Sequence, residues 1–176
     1  MNLPNMITII RIILVPIYLM VFFSALENRI LLAGLVFILA GISDVLDGHI
    51  ARKYNLQTKL GTVLDPLADK MMTFAILISF TVAKFIPTWI LIALGIKEIL
   101  LIIGGAILYF SKSNQVVSSN KYGKAATTLF YAATLSIIFK FPLVLSQVLF
   151  LVTIVFNILA LLNYFTIYVD LIKKRN

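Results

Sequence analysis

Asp44, Asp47, Asp65 and Asp69 make up four of the seven acidic residues in a chain of 176, and their spacing is regular. On a helix, Asp44, Asp47, Gly48 and Ala51 fall at i, i+3, i+4 and i+7, which is one stripe, and Gly61, Asp65 and Asp69 form a second. Carboxylates supply only oxygen ligands, which favour hard cations such as Mg²⁺, Mn²⁺ or Ca²⁺ over Zn²⁺. Four of them suffice for two ions about 3.5 to 4 Å apart, the arrangement that clamps the attacking and leaving oxygens of a phosphoryl displacement. Gly48, Ala51 and Gly61 have almost no side chain, so a phosphate or a flat base can lie against helix backbone there. Arg52 offers a planar fork to a phosphate. Close helix packing is the structural alternative for the small residues, and pairing with Arg52, Lys53, Lys59 and Lys70 is the alternative for the aspartates. An intramembrane cation or proton pathway would use the same carboxylates.

The elements that must position these groups are apolar. Hydrophobic residues form 61% of the chain and charged ones 12%, with a mean hydropathy of +1.06, far from a soluble domain in which about a quarter of residues are charged. A carboxylate at a bilayer centre costs roughly 2.5 to 3.5 kcal/mol on insertion scales, so the cluster requires a neutralising partner. Apolar stretches near 7–26, 30–43, 62–83, 85–110, 125–139 and 141–169 predict an all-α membrane protein, a bundle of six transmembrane helices in a single domain over 1–176. Arg11 inside the first stretch, with no cleavage site after it, argues against a removable signal peptide. Arg52, Lys53 and Lys59, then Lys112, Lys121 and Lys124, then Lys173, Lys174 and Arg175 concentrate positive charge in alternate joints. The positive-inside rule therefore places these joints, both termini and the aspartates on the cytoplasmic side. The net charge of +8 is scattered over joints, which suits an anionic membrane surface and anionic substrates and argues against nucleic acid. With no cysteine, disulfides and thiolate chemistry are excluded. If helices 2 and 3 are antiparallel neighbours joined by the turn Lys53–Lys59, their two stripes face each other. Ahead of them Asn5, Thr8 and Arg11 align three polar side chains on one face of the first helix; an N-cap followed by a snorkelling arginine is the alternative.

The string Asp44-x-x-Asp47-Gly48-x-x-Ala51-Arg52-x8-Gly61-x-x-x-Asp65-x-x-x-Asp69 resembles the signature of the CDP-alcohol phosphatidyltransferase family. Leu3-Pro4-Asn5-x-x-Thr8-x-x-Arg11 and Leu64-Asp65-Pro66-Leu67-Ala68-Asp69-Lys70 are similar to segments of the bacterial members that use glycerol 3-phosphate. The resemblance implies transfer of a phosphatidyl group from CDP-diacylglycerol to an alcohol with release of CMP, in a bacterial cell membrane and by a homodimer. It implies that Asp44, Asp47, Asp65 and Asp69 ligate Mg²⁺ or Mn²⁺, and that Asp69 is also the general base. Gly48, Arg52 and Thr58 would contact the cytidine diphosphate, Ala51 and Gly61 would make room for it, and Asn5 and Thr8 would close the nucleotide side. The chemistry agrees, since phosphoryl transfer depends on positioning and charge neutralisation.

The acceptor is read from other residues. Gly123-Lys124-x-x-Thr127 resembles the family element whose basic group holds the phosphate of glycerol 3-phosphate; Lys121, Lys124, Arg11 and Lys59 are the candidates, with positive-inside anchoring as the alternative. Two departures bear on the choice. Lys97-Glu98 stands where these members more often have Arg-Glu, and lysine does not reproduce bidentate phosphate recognition; a cross-helix pair is its structural alternative. Ala125-Ala126-Thr127 looks more like members that make cardiolipin from phosphatidylglycerol, and inositol phosphate and serine are the other acceptors of the family. His49 projects away from the stripe and reads as interfacial. Trp89, Tyr164 and Tyr168 read as membrane-interface anchors.

Overall fold

A computed structural model describes the backbone of residues 3–54, 59–110 and 121–173, and within them the side chains other than those at 3, 52, 59, 60, 62, 63, 101–110 and 164–173. It holds six helices: α1 (Leu3–Phe22), α2 (Arg29–Lys53), α3 (Lys59–Val82), α4 (Thr88–Phe110), α5 (Lys121–Ile138) and α6 (Leu143–Lys173). They fall into two compact units, Met1–Lys84 and Phe85–Asn176, taken in turn below.

In the first unit α1 packs extensively against both α2 and α3, whereas α2 and α3 touch each other little. The expected face-to-face meeting of α2 and α3 is thus replaced by an arrangement with α1 between them. The reason is visible in the stripes. On α1, Asn5, Thr8, Arg11, Val15, Tyr18 and Phe22 recur at helical spacing and all are buried. On α2 the corresponding stripe runs Ala33, Phe37, Ala40, Asp44, Asp47, and on α3 it runs back from Phe80 through Ile76, Met72 and Ala68 to Asp65 and Gly61. Each stripe is apolar over one stretch and polar over the other, so matching like with like aligns three greasy ends and three polar ends. Tyr18 and Phe22 stack with ring centroids 5.8 Å apart, and Phe22 lies 6.0 Å from Phe80. Ala33, Ala40, Ala68 and Ala75 are buried as well, and such small residues let backbones approach closely.

Local chemistry sets the ends of these helices. α2 carries its acidic motif as helix, closing only at Tyr54, whose N–H donates to the Ile50 carbonyl at 3.0 Å. Pro66 lies inside α3 and has no N–H to return to the carbonyl four residues earlier. That leaves one backbone acceptor without its helical donor at the turn carrying Asp65. α3 stops at Lys84, which takes a left-handed φ of 60° and donates its N–H to the Thr81 carbonyl at 3.0 Å.

The second unit is an α5–α6 hairpin with α4 packed on α6. Lys140, at φ 57°, donates to the Ile137 carbonyl, and Phe141 donates to that of Ser136 at 2.9 Å. This is the double hydrogen bond of a Schellman stop, and Pro142 then starts α6. Buried hydroxyls and amides line the hairpin. Ser136 and Ser146 lie 2.7 Å apart, Thr153 donates to the Leu149 carbonyl at 2.8 Å, and Asn157 donates to the Thr153 carbonyl at 2.9 Å. Lys97 and Glu98 of α4 pair with each other at 2.7 Å, so the pair closes within one helix rather than across two.

Among the described residues three segments are long and apolar enough to cross a membrane: Pro4–Phe22, Arg29–Ala51 and Leu143–Asn163. Leu35, Leu39, Ile42 and Leu46 form an exposed stripe on α2, and Val144, Val148, Val155 and Leu162 are exposed on α6. Outward-facing aliphatic rows of this kind suit lipid. Trp89 stands half-exposed at the start of α4, where an interface anchor belongs.

Candidate active site

The polar ends of α1, α2 and α3 meet in a cluster within the first unit. Arg11 is at its centre. Its side chain is 2% exposed, its NH1 lies 2.6 Å from Asp44 Oδ1, and its NH2 donates to Asp47 Oδ2. The NH1 contact is ionic rather than an aligned hydrogen bond, and Nε has no hydrogen-bond partner among the described residues. This arginine does not snorkel. A bare guanidinium in such a place would be costly, and the α2 carboxylates make its burial tolerable.

One turn earlier on α1, Thr8 does the same for α3. Its hydroxyl lies 2.5 Å from Asp65 Oδ1, 3.3 Å from Asp47 Oδ2 and 3.1 Å from its own helix's Pro4 carbonyl. Three acceptors thus surround one hydroxyl proton, which can serve one of them at a time; the shortest contact gives it to Asp65. Asp47 is 5% exposed and answers to Arg11. Asp44 is more open at 47% and experiences repulsion from both Asp65 and Asp69. Asp69, 40% exposed, lies 3.3 Å from Lys70 Nζ. Among the described side chains the four carboxylates therefore face two cations, Arg11 and Lys70, and one hydroxyl.

This leaves an acidic cluster of all-oxygen donors, the chemistry that suits a hard divalent ion. No three acidic or imidazole groups among the described residues already stand as a coordination set. The arrangement explains this, because the guanidinium fills the gap between Asp44 and Asp47. The donor set fits a divalent ion in kind and charge, and two of its four carboxylates, Asp44 and Asp47, are held by Arg11.

The remaining sequence-predicted residues distribute as follows. Asn5 is buried on the α1 stripe and Gly61 is buried on α3. Gly48 and Ala51 are half-buried on α2, while His49 is exposed, off the stripe. Thr58 lies outside the described residues, as do the side chains of Arg52 and Lys59. Lys121 and Lys124 belong to the second unit, both exposed at the start of α5. The structure thus brings Thr8 and Arg11 together with Asp44, Asp47 and Asp65. What sequence reasoning missed is a contact of the α1 face: Thr8 and Arg11, expected against nucleotide and acceptor phosphate, also reach the aspartates. The i, i+3 spacing of Asn5, Thr8 and Arg11 was the available signal.

A helical membrane-type scaffold with this aspartate cluster defines the class. The chain belongs to the CDP-alcohol phosphatidyltransferase family, whose sequence pattern matches residues 1–159. A Bacillus subtilis protein named CDP-diacylglycerol–glycerol-3-phosphate 3-phosphatidyltransferase is 35% identical over 138 residues, covering 72% of this chain and 70% of its own length. An Aquifex aeolicus protein of the same name is 36% identical over 174 residues, 93% of this chain and 94% of that one. A Rickettsia bellii protein, again of that name, is 46% identical over 77 residues, 44% and 42% of the two chains.

Proposed function

We propose that this protein transfers the phosphatidyl group of CDP-diacylglycerol to glycerol 3-phosphate, forming phosphatidylglycerophosphate and CMP. The observation that carries this reading is the meeting of Asp44, Asp47 and Asp65 around Thr8 and Arg11 in a chain of this family. The acceptor follows the relatives, three of which share one name.

Asp44, Asp47, Asp65 and Asp69 would hold Mg²⁺ or Mn²⁺, two ions by the number of carboxylates. The chemistry such ions would supply there is neutralisation of the diphosphate and of the charge that develops on the leaving phosphate. The chain's own residues do the rest. Asp69 is open to the acceptor hydroxyl, being 40% exposed with Lys70 3.3 Å away; as the family resemblance implies, it acts as general base, and no covalent enzyme intermediate is needed. Gly48, Ala51 and Gly61 keep the helix surfaces low where the nucleotide lies, Asn5 closes that side, and Arg52 and Thr58 contact the diphosphate. Lys59, Lys121 and Lys124 attract the acceptor's phosphate.

The chain acts as one membrane domain with six spans and both termini cytoplasmic in a bacterial cell membrane, as a homodimer. The spans and their orientation are supported by the alternation of basic joints and the outward rows of aliphatic side chains; the homodimer is what the family resemblance implies. One assay tests the function directly: purified protein is incubated with CDP-diacylglycerol and, separately, glycerol 3-phosphate, phosphatidylglycerol, inositol phosphate or serine, and the lipid product is identified. Phosphatidylglycerophosphate with equimolar CMP is expected. A different lipid would reassign the acceptor, and no CMP with any acceptor would return the aspartates to a cation or proton pathway.

A further inference from the structure

The position a divalent ion would share between Asp44 and Asp47 is already filled by a cation of the protein's own. Arg11 reaches it from α1, nearly sealed from solvent, with one terminal nitrogen on each aspartate and its Nε without a hydrogen-bond partner among the described residues. A guanidinium and a divalent ion cannot both lie between the same two oxygens, because their positive charges repel strongly at such separations. We propose that Arg11 is an intramolecular counter-ion that holds the ligand-free site together and is displaced when a divalent cation binds, so that cation entry and release of the guanidinium are one event.

The exchange balances in charge. Before it, two carboxylates share one positive charge; after it, they share two, and the guanidinium is left beside a neutralised pair. Arg11 then needs a new anion, and a phosphate of the substrate is the group the site would offer, bidentate recognition being the strength of arginine. The device has a clear physical use. Four carboxylates with nothing among them would repel one another and destabilise the empty protein, whereas a resident guanidinium keeps them gathered until a stronger cation arrives. Its cost is weaker metal affinity in the absence of substrate, since part of the binding free energy goes into breaking the ion pairs. A released guanidinium that finds a phosphate recovers that cost, so metal and substrate bind with positive coupling.

The inference rests on the divalent-cation reading above, and the experiment separates the two. Mn²⁺ alone is titrated into detergent-solubilised protein with no lipid or nucleotide, and free Mn²⁺ is followed by electron paramagnetic resonance in wild type, Arg11→Gln and Arg11→Lys. Removing the competing charge is expected to tighten the apparent Mn²⁺ dissociation constant in Arg11→Gln by about tenfold or more. Arg11→Lys, which keeps the charge but cannot bridge both aspartates, is expected to tighten it by a smaller factor and decides the matter if the glutamine variant does not fold. Thermal unfolding gives an independent readout. Chelator should lower the midpoint of Arg11→Gln more than that of wild type, and Mn²⁺ should restore it. Equal or weaker Mn²⁺ binding in both variants would overturn the counter-ion role while leaving the metal site standing. No Mn²⁺ binding by any form, together with CMP release that survives chelation, would sink the metal reading and this inference with it.

Discussion

The two units bury polar groups in different ways, and the contrast locates the chemistry. In Met1–Lys84 the buried polarity is charged and crosses between helices: Arg11 and Thr8 reach residues 33 to 57 positions away in sequence. In Phe85–Asn176 it is mostly neutral and mostly local. Thr153 and Asn157 bond to carbonyls four residues earlier, Ser136 and Ser146 meet across a tight hairpin, and the Lys97–Glu98 ion pair joins neighbours. Local hydroxyl and amide bonds satisfy a helix where water is scarce and specify little else. Long-range charges are expensive and are retained where something must be bound. The first unit gathers charge, whereas the buried contacts of the second are those of a scaffold.

Breaking the charged contacts of the first unit should therefore cost turnover, and breaking the buried hydroxyl contacts of the second should cost only stability. The largest effect is expected from chelation, which should stop CMP release entirely, with Mg²⁺ or Mn²⁺ restoring it; persistence of turnover would dissolve the contrast. Asp69→Asn should lower CMP release by about 10² to 10⁴-fold in a protein that keeps its thermal midpoint. Thr8→Val, which keeps the shape and removes the hydroxyl between Asp65 and Asp47, should lower kcat/KM by roughly tenfold, as for loss of one hydrogen bond to a charged group. In the second unit Ser146→Ala should cost about 1 kcal/mol of stability and leave CMP release unchanged. The smallest effect, a gain of a few tenths to about 1 kcal/mol, is expected from Lys140→Gly, because glycine accepts the left-handed φ without the steric penalty a side chain carries. Thermal unfolding in detergent would measure both.

The same contrast sets what could be read from the sequence. The spacing of the aspartates beside Gly48, Ala51 and Gly61 was legible because helical periodicity fixes which residues of one helix share a stripe. It does not fix which stripes meet. That is why α2 and α3 seemed direct partners, whereas α1 lies between them: the continuation of the Thr8–Arg11 face through Val15, Tyr18 and Phe22 matters only once the apolar ends of α2 and α3 are known to converge. Three segments carry clear membrane-spanning character; α3 dilutes its own with Asp65, Asp69 and Lys70, the cost of carrying half the site. The stops at Lys84 and Lys140 left no trace in the usual turn chemistry, since lysine is not a residue that favours positive φ. Adjacent Lys97 and Glu98 point about 100° apart on a helix, and only the length of the lysine stem lets them close on each other.

The place of α1 between α2 and α3 also bears on how the chain is made. α1 precedes α2 in the sequence, so when Asp44 and Asp47 leave the ribosome the arginine that meets them has already been synthesised. Inserted singly, α1 carries a cation into lipid and α2 carries two anions, each at a penalty of a few kcal/mol. Inserted as a hairpin, the two segments arrive with most of that charge cancelled. The residue that organises the finished site would then have served first as its passport into the bilayer.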